Sequence, residues 1–509
     1  MSEEQLGYER LGAKRLRLVD CISQSVGFMG PVFSAAFLIP LIAGVSASGK
    51  GAGIATPLAV LIAAVGTFAL GWIVAAYAKR VHAAGSLYDY VSNGLGARAG
   101  AFAGWIYYGG TTVLASAIAC LVGWYMHDVI FTADPAVPGV VSSSSPLPMW
   151  AWSLVFVAAI FLVQYLGVHI STRAQLTLAL ASAVVVLAFF VKVIIDAPQA
   201  NLEPFKPSSA TDGWTGIMFG VLYGVLIFVG FETAANLGEE TAEPKRSIPR
   251  AVLLTVLIAA VFYLIAAYAQ IVGFGQDLSV ITDPAVAAAP LFALGSPPAV
   301  GGYGSDFILK LLEVVVLLDI LAVGLGAAVA SARGVFALAR DRRIAGGLAA
   351  VSRSRGTPVA AIAFVEVVSL IMVAIAQFAD TVFADASPSP HFFDMFLWLS
   401  TFGGFALMVV YGLLAFGSFW GLRQGANYAG VVIAAVIGLA ISVAAVYGGI
   451  YKQPNPFNLV WRYVVAWAIL GLIVAFVMKG RPAASSVLGE LRSDEAGTNA
   501  AGVRADGIG

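Results

Sequence analysis

Charge is what this sequence has least of. Only 11% of its 509 residues are Asp, Glu, Lys or Arg, against roughly 25% in an average soluble domain. The 28 basic and 28 acidic side chains cancel to a formal charge of zero. That balance removes the electrostatic attraction on which nucleic-acid binding depends. A mean hydropathy of +0.90 removes a water-soluble enzyme as well. Cysteine is scarce too: Cys21 and Cys120 lie inside apolar runs, too few for a disulfide framework and without metal-ligand spacing, so they read as small core residues. The four histidines, His82, His127, His169 and His391, stand singly near helix ends. They have no H-E-x-x-H pattern and no cysteine partner, which leaves zinc chemistry unsupported. No cofactor is expected.

What remains is apolar, 60% of the chain. At roughly 20 apolar residues per bilayer crossing, a dozen helices would occupy about 240 residues. A hydropathy window marks twelve spans, near residues 19–45, 54–78, 99–130, 150–170, 174–197, 214–238, 249–275, 305–332, 358–380, 391–418, 427–450 and 458–479. The expected fold class is therefore an all-α polytopic membrane protein. Residues 1–18 mix acidic and basic side chains and carry no small-residue cleavage site behind an apolar core, so they read as a retained N-terminal segment. Residues 481–509 are small and polar and are expected to be disordered.

Orientation follows from the placement of Lys and Arg. With the N-terminus inside, 22 of the 28 basic residues fall on inner segments. The remainder, Lys50, Lys192, Lys206, Lys310, Lys452 and Arg462, fall outside or near outer helix ends. This bias puts both termini in the cytoplasm of a cell whose plasma membrane holds the protein. Glycines every fourth residue, Gly96, Gly100 and Gly104 entering span 3 and Gly216, Gly220 and Gly224 in span 6, offer ridges where backbones can approach closely. They indicate a tight bundle and say nothing about substrate.

Spans 1 and 6 carry the chemistry. Ser25-Val26-Gly27-Phe28-Met29-Gly30-Pro31 puts two glycines and a proline at mid-membrane, and Pro31 suits the first turn of a helix restarting after a break. Phe228-Val229-Gly230-Phe231-Glu232 sets a glycine beside a carboxylate in span 6. If spans 1–5 and 6–10 are two halves, the second enters the membrane from the opposite side, an inverted repeat. On this division residues 19–200 form the first half, 201–420 the second, and 421–480 spans 11 and 12. Interrupted helices at matching places of two halves point to a transporter's binding site. Free N–H groups at one break can hold an anion and free carbonyls at the other a cation, which suits a zwitterion. The competing explanation is that Gly and Pro are common in membrane helices as kinks.

These residues resemble the amino acid–polyamine–organocation superfamily of permeases. The specific match is Phe228 to Glu232 followed by Glu239-Glu240-Thr241-Ala242-Glu243-Pro244-Lys245-Arg246-Ser247-Ile248-Pro249-Arg250-Ala251. It is similar to that family's G-F-E break and E-E-x-x-x-P-K-R-x-I-P-x-A loop. Ala84 to Tyr90 with Gly94-Leu95-Gly96, and Ala330-Ser331-Ala332-Arg333 with Ala339-Arg340-Asp341, are supporting matches. The resemblance covers roughly residues 20 to 475 and implies an inverted-repeat (LeuT-like) fold of about twelve transmembrane helices. Helices 1 and 6 would be broken, and a central site would lie between spans 1, 3, 6, 8 and 10.

Candidate substrate contacts are accordingly Val26, Gly27, Phe28, Met29 and Gly30 on span 1, and Leu226, Phe228, Val229, Gly230 and Phe231 on span 6. Tyr107 on span 3 is a further candidate, although core packing is the commoner role of such an aromatic. Glu232 would begin the inner half of span 6. There the helix dipole favours an anion by up to about 2 kcal/mol and loss of water opposes it. A carboxyl held between those effects can load and release a proton, and in the related arginine/agmatine antiporters the matching glutamate is implicated in proton coupling. The alternative is a structural glutamate bonded to a neighbouring helix. Asp319, halfway along span 8, is the second coupling candidate because intramembrane carboxylates are expensive to keep. Glu313 and Glu366 rank lower, and Glu239, Glu240 and Glu243 are expected to pair with inner arginines.

Two departures from the family bear on substrate. The region Leu180-Ala181-Ser182-Ala183 has no lysine of the kind that replaces sodium in some members. Leu226 and Ala327 stand where the arginine/agmatine antiporters have tryptophans. Losing those cation–π partners, ~0.5–2 kcal/mol each, argues against a guanidinium substrate. Gly44 to Lys50 imitates a phosphate-binding loop, but Gly51 follows instead of Ser or Thr and no strand precedes it.

The expected function is a secondary active transporter moving an amino acid by alternating access. Symport with a proton, before sodium, is the first reading, and exchange of related amines the second. The expected partners are the lipid bilayer and a small-molecule amino acid, with no nucleic acid, and the chain would act as a monomer or homodimer. A channel would need a continuous polar-lined pore and an enzyme a clustered catalytic set, and neither is visible.

Overall fold

The structure is a computed structural model describing residues 16–44, 51–81, 83–131, 143–277, 279, 290–379, 391–424, 427–450 and 457–478. The retained N-terminal segment but for its last residues, the polar tail, His82 and most of the phosphate-loop imitation lie outside the described residues. Helix is the only regular element among those described, with one isolated bridge pairing Leu16 with Thr241. A lipid environment offers the backbone no hydrogen-bond partner, so a spanning segment must satisfy its N–H and C=O groups internally.

Sixteen α-helical segments follow in order: α1 Leu18–Met29, α2 Pro31–Phe33, α3 Ile39–Ala43, α4 Thr56–Ala78, α5 Leu87–Leu95, α6 Ala97–Tyr125, α7 Met149–Leu166 and α8 Val168–Asp196. After these come α9 Gly213–Leu226, α10 Pro244–Gly273, α11 Pro290–Gly295, α12 Asp306–Arg340, α13 Val359–Phe378, α14 Phe392–Gly421, α15 Tyr428–Ile450 and α16 Val460–Val477. Ten helical stretches are long and apolar enough to cross a membrane, the first being Leu18–Ala43 taken whole. The 14-residue α9 and the 35-residue α12 stand beside them, at the places of spans 6 and 8. At ~1.5 Å per residue α12 is about 50 Å long. It outruns a ~30 Å hydrocarbon core and carries its terminal arginines clear of it.

Span 1 breaks where its sequence suggests. Gly30 adopts φ 55° and ψ 75°, a left-handed conformation costly to any residue with a Cβ. The helix restarts at Pro31, passes through a wider π turn at Ser34–Leu38 and ends as α3. Span 6 departs from expectation. After α9 the chain does not resume an α-helix but runs through turns from Ile227 and a short 3₁₀ segment, Thr233–Leu237. Glu232 therefore precedes a five-residue 3₁₀ turn, and the dipole of a full inner half-helix is not available to it.

The interrupted spans lie in the middle of the bundle, in contact with α8, α10 and α12, while α7, α13, α15 and α16 present much of their surface to lipid. The ridge on α9 packs as expected. A Cβ on Gly220 would come within 3.1 Å of Ala59, and one on Gly224 within 2.9 Å of Ala63, so α9 lies tightly on α4. Gly96 differs from its two partners: nothing lies within 4 Å of its would-be Cβ, and it serves as the joint between α5 and α6. Cys21 and Cys120 are free and buried.

Candidate functional site

The two breaks meet at the centre. Gly230, at φ 111°, lets the span 6 turn approach so closely that a Cβ there would sit 3.0 Å from the Phe28 Cβ and 3.1 Å from the Met29 nitrogen. On the other side α12 closes in, because a Cβ on Gly326 would lie 2.7 Å from the backbone nitrogen of Phe28. Polar stitches fix this crossing. The Ser25 hydroxyl donates to the Phe231 carbonyl at 2.9 Å and accepts from the Ala234 N–H at 3.1 Å. Gln24 Nε2 donates to the Gly326 carbonyl at 3.0 Å.

Beside the crossing is a small, apolar cavity lined by residues of spans 1, 3, 6, 8 and 10. Of the residues singled out in the sequence, Phe28, Met29, Leu226 and Val229 line it. Leu114 and Ile118 on α6, Val323 and Ala327 on α12, and Ser400 and Gly404 on α14 complete most of the wall. The six walls from α6, α12 and α14 come as pairs four residues apart, the spacing of one helix face. That spacing is the signal by which they could have been found once one member was known. The free volume is about 40 Å³, room for a few waters at ~10–15 Å³ each. The cavity is narrow in this conformation.

Other sequence candidates fall outside the cavity wall. Phe228 packs edge-on to Tyr263, ring centroids 5.1 Å apart, and Phe231 against Tyr411 at 5.6 Å. Gly27 is pressed against Gln175 of α8, whose side chain would be 2.6 Å from a Cβ at that position. The Val26 carbonyl accepts the Gly30 N–H at 3.1 Å, closing α1. Because residue 31 is proline, the Gly27 carbonyl lacks the N–H that would normally bond it four residues on. In span 6 the carbonyls of Leu226 and Phe228 accept turn bonds from Val229 and Phe231.

The carboxylates have defined partners. Glu232 is fully buried and its Oε1 accepts the Tyr107 hydroxyl at 2.6 Å. Its Oε2 accepts the Gly230 N–H at 3.3 Å. Tyr107 therefore serves Glu232 and does not line the cavity. Asp319 Oδ2 accepts the Phe33 N–H at 2.7 Å, so a side chain from α12 caps the helix that restarts after the span 1 break. The anion position offered by that restart is filled by the protein's own carboxylate. Glu313 pairs with Lys310 at 2.9 Å, and Glu366 accepts from Gln164 at 3.0 Å.

At the end of the bundle bearing the arginines, Arg333 holds Glu240 through two bonds of 2.7 and 3.2 Å, and Arg340 holds Glu239 at 2.8 and 3.1 Å. All four side chains are nearly buried. Glu243, by contrast, is largely exposed and approaches Arg246 at 3.9 Å. Among the described residues no group of three His, Cys, Asp or Glu side chains could hold a metal ion. His127 and His391 each face a neighbouring aspartate, Asp128 and Asp394, at 2.6 and 3.5 Å.

A many-spanning helical bundle with two central spans broken beside a small apolar cavity is the architecture of a membrane transporter, not of an enzyme. Residues 25–451 match the amino acid permease family, and the chain belongs to that family. It is 23% identical over 345 residues to a branched-chain amino acid permease of Bacillus subtilis, covering 64% of this chain and 69% of that one. An uncharacterized transporter of Mycobacterium tuberculosis is 29% identical over 342 residues, 66% of this chain and 68% of the relative. The fold is shared with the crystal structure of a mutant manganese transporter from Eremococcus coleocola. That likeness has a TM-score of 0.55 at 12% identity, covering 92% of this chain and 97% of the other.

Proposed function

We propose that this protein is a proton-coupled permease of the plasma membrane for a neutral amino acid with an apolar, branched side chain. The observation that carries the reading is the central cavity whose wall is Leu, Ile, Val, Phe, Met, Ala and Gly, with one hydroxyl from Ser400. Such a wall has no group to pair with a charged side chain, and burying an unpaired charge is prohibitive. The name of the Bacillus relative, a branched-chain amino acid permease, agrees with it. The substrate carboxylate meets the span 1 break and its ammonium the carbonyls of the span 6 turn.

Coupling is assigned to Glu232 and Asp319, each an intramembrane carboxyl joined directly to one of the two breaks. A proton on Asp319 weakens its hold on the Phe33 N–H and frees that donor for the substrate carboxylate. The spans move as two inverted halves, residues 19–200 and 201–420, with both termini on the cytoplasmic side. The Arg333–Glu240 and Arg340–Glu239 pairs close the inner path and must part when it opens.

The test is uptake of radiolabelled leucine, isoleucine, valine, arginine and aspartate into proteoliposomes with and without an imposed pH gradient. Branched apolar substrates should accumulate only when the gradient is present. In Glu232→Gln, exchange of labelled for unlabelled substrate should persist while gradient-driven accumulation disappears. Accumulation that survives Glu232→Gln and Asp319→Asn unchanged rules the coupling out. Preferential uptake of arginine or aspartate rules out the substrate class.

A further inference from the structure

A second cavity, unconnected with the central one, opens at the end of the bundle that carries the inner basic residues. It lies between α4, α10 and α15, is about 610 Å³ in volume, and is bordered by five cations: Lys79, Arg80, Lys245, Arg246 and Arg250. Their ion-pair partners are few. Arg246 has only the distant, exposed Glu243, and Arg80 spends one N–H on the Gly421 carbonyl at 3.0 Å. Among the described residues no ion pair engages Lys79, Lys245 or Arg250. All five cations are exposed to solvent, and clustered around one concavity they set up a positive potential that attracts an anion.

Apart from Asn427 the rest of the lining is apolar. Leu422 and Val431 form a buried floor, and Trp72 and Leu253 stand on the side facing along the helices. From Trp72 an exposed stripe continues up α4 through Phe68, Val65 and Leu61, at helical spacing, toward the middle of the bundle. On α10, Leu254, Leu257, Ile258 and Val261 run alongside, also exposed. An aromatic ring at the water–lipid boundary, cations beneath it and aliphatic side chains above it follow the polarity profile of one lipid molecule.

We propose that this cavity binds an anionic phospholipid of the leaflet at the basic end. The headgroup phosphate lies among Lys79, Arg80, Lys245 and Arg250, and the acyl chains run along the α4 and α10 stripes. Charge complementarity selects the lipid over zwitterionic ones, and the apolar track selects a lipid over a free phosphate. Lys245 and Arg250 follow closely on Glu239 and Glu240 in the chain, so the lipid ties α4 and α15 to the start of α10 beside the buried ion pairs. The binding does not depend on which substrate is carried or on how transport is coupled.

The experiment is native mass spectrometry of the full-length detergent-solubilised protein with dioleoyl phosphatidylglycerol or dioleoyl phosphatidylcholine added at equal concentration. Wild type should retain phosphatidylglycerol preferentially. Each charge removed should lower the preference about fivefold, so Lys79→Gln/Lys245→Gln/Arg250→Gln should largely abolish it. The charge-preserving variant Lys79→Arg/Lys245→Arg/Arg250→Lys should keep it, which separates loss of the site from a folding defect. Equal retention by the neutral triple variant and wild type overturns the proposal. So does displacement of the bound phosphatidylglycerol by millimolar inorganic phosphate, which would make the site one for a free anion.

Discussion

Replacing Gly30 by alanine tests the geometry of the span 1 break through two separable costs. Gly30 holds φ 55°, and a left-handed conformation costs an ordinary L-residue about 1–2 kcal/mol. The new methyl would also lie 2.0 Å from Val323 Cγ2. Val323 sits inside α12, where a β-branched side chain has one strongly preferred rotamer, so it cannot swing away, and overpacking of this kind costs about 1–3 kcal/mol. The sum is about 2–5 kcal/mol. Equilibrium unfolding of the purified protein in mixed micelles measures it, with the exposure of the buried thiols of Cys21 and Cys120 as an independent readout. Gly30→Ala/Val323→Ala removes the clash, leaves the backbone strain and adds the cost of truncating a buried valine, so its coupling energy against the two single variants should be favourable by about 1–3 kcal/mol. Gly404→Ala is the comparison without backbone strain, because Gly404 has no positive φ and its methyl would meet only Leu226, with Cδ1 at 2.5 Å and Cγ at 2.9 Å. If Gly30→Ala is as stable as wild type, or the two substitutions are simply additive, the break is not built as described.

Leu226→Ala should enlarge the cavity at the wall it shares with Gly404 and shift preference toward larger apolar amino acids. The shift should be roughly 10–200-fold, read by competition against labelled leucine. An unchanged ranking of competitors would show that Leu226 does not face the substrate. Arg333→Ala should destabilise by about 3–5 kcal/mol because it strands the buried Glu240, whereas Arg333→Leu/Glu240→Leu should be far milder. Thermal unfolding of the two variants side by side decides this. Outside the membrane, the Lys206 ammonium bonded to Glu203 holds that carboxyl below the usual range for a glutamate. Its contribution is present above an ordinary pKa of ~4.3 and is lost as pH falls through the lowered folded value. Lys206→Ala should therefore raise the acid midpoint of Glu203 in a carbon-13 NMR titration while leaving uptake at neutral pH unchanged.

Where the chain crosses the membrane was legible because lipid imposes one rule on every crossing, and a window average reads it directly. The break at Gly30-Pro31 was legible for a different reason: a left-handed position followed by a residue without an N–H is written in the residue types. The span 6 break was half legible. Gly230 marked the turn, but nothing local says that the segment beyond Glu232 stays 3₁₀, since its partners Gln24 and Ser25 are some 200 residues away in sequence. The same distance hid the roles of Asp319 and Tyr107. Both were noticed as residues, yet their partners, the Phe33 N–H and the Glu232 carboxyl, are set by packing between helices remote in the chain. Phe228 and Phe231 pack against Tyr263 and Tyr411, which proximity to a break does not reveal because adjacent residues in a turn can face opposite ways.

The bridge between Leu16 and Thr241 has a consequence for motion. Leu16 exchanges two backbone bonds with the segment after span 6, of 3.1 Å to Glu240 and 3.0 Å from Ala242. Farther along, Cys21 touches Thr241 at 3.5 Å and Ser25 bonds the chain on both sides of Thr233. Three fastenings along one length leave the inner half of span 1 and the segment after Glu232 no freedom to swing separately. Any movement of one must carry the other, and their closest approach is at the Phe28–Gly230 crossing. A displacement at the Leu16 end would therefore reach the central cavity directly, and distance probes placed on the two segments should stay at constant separation whatever either does relative to α12.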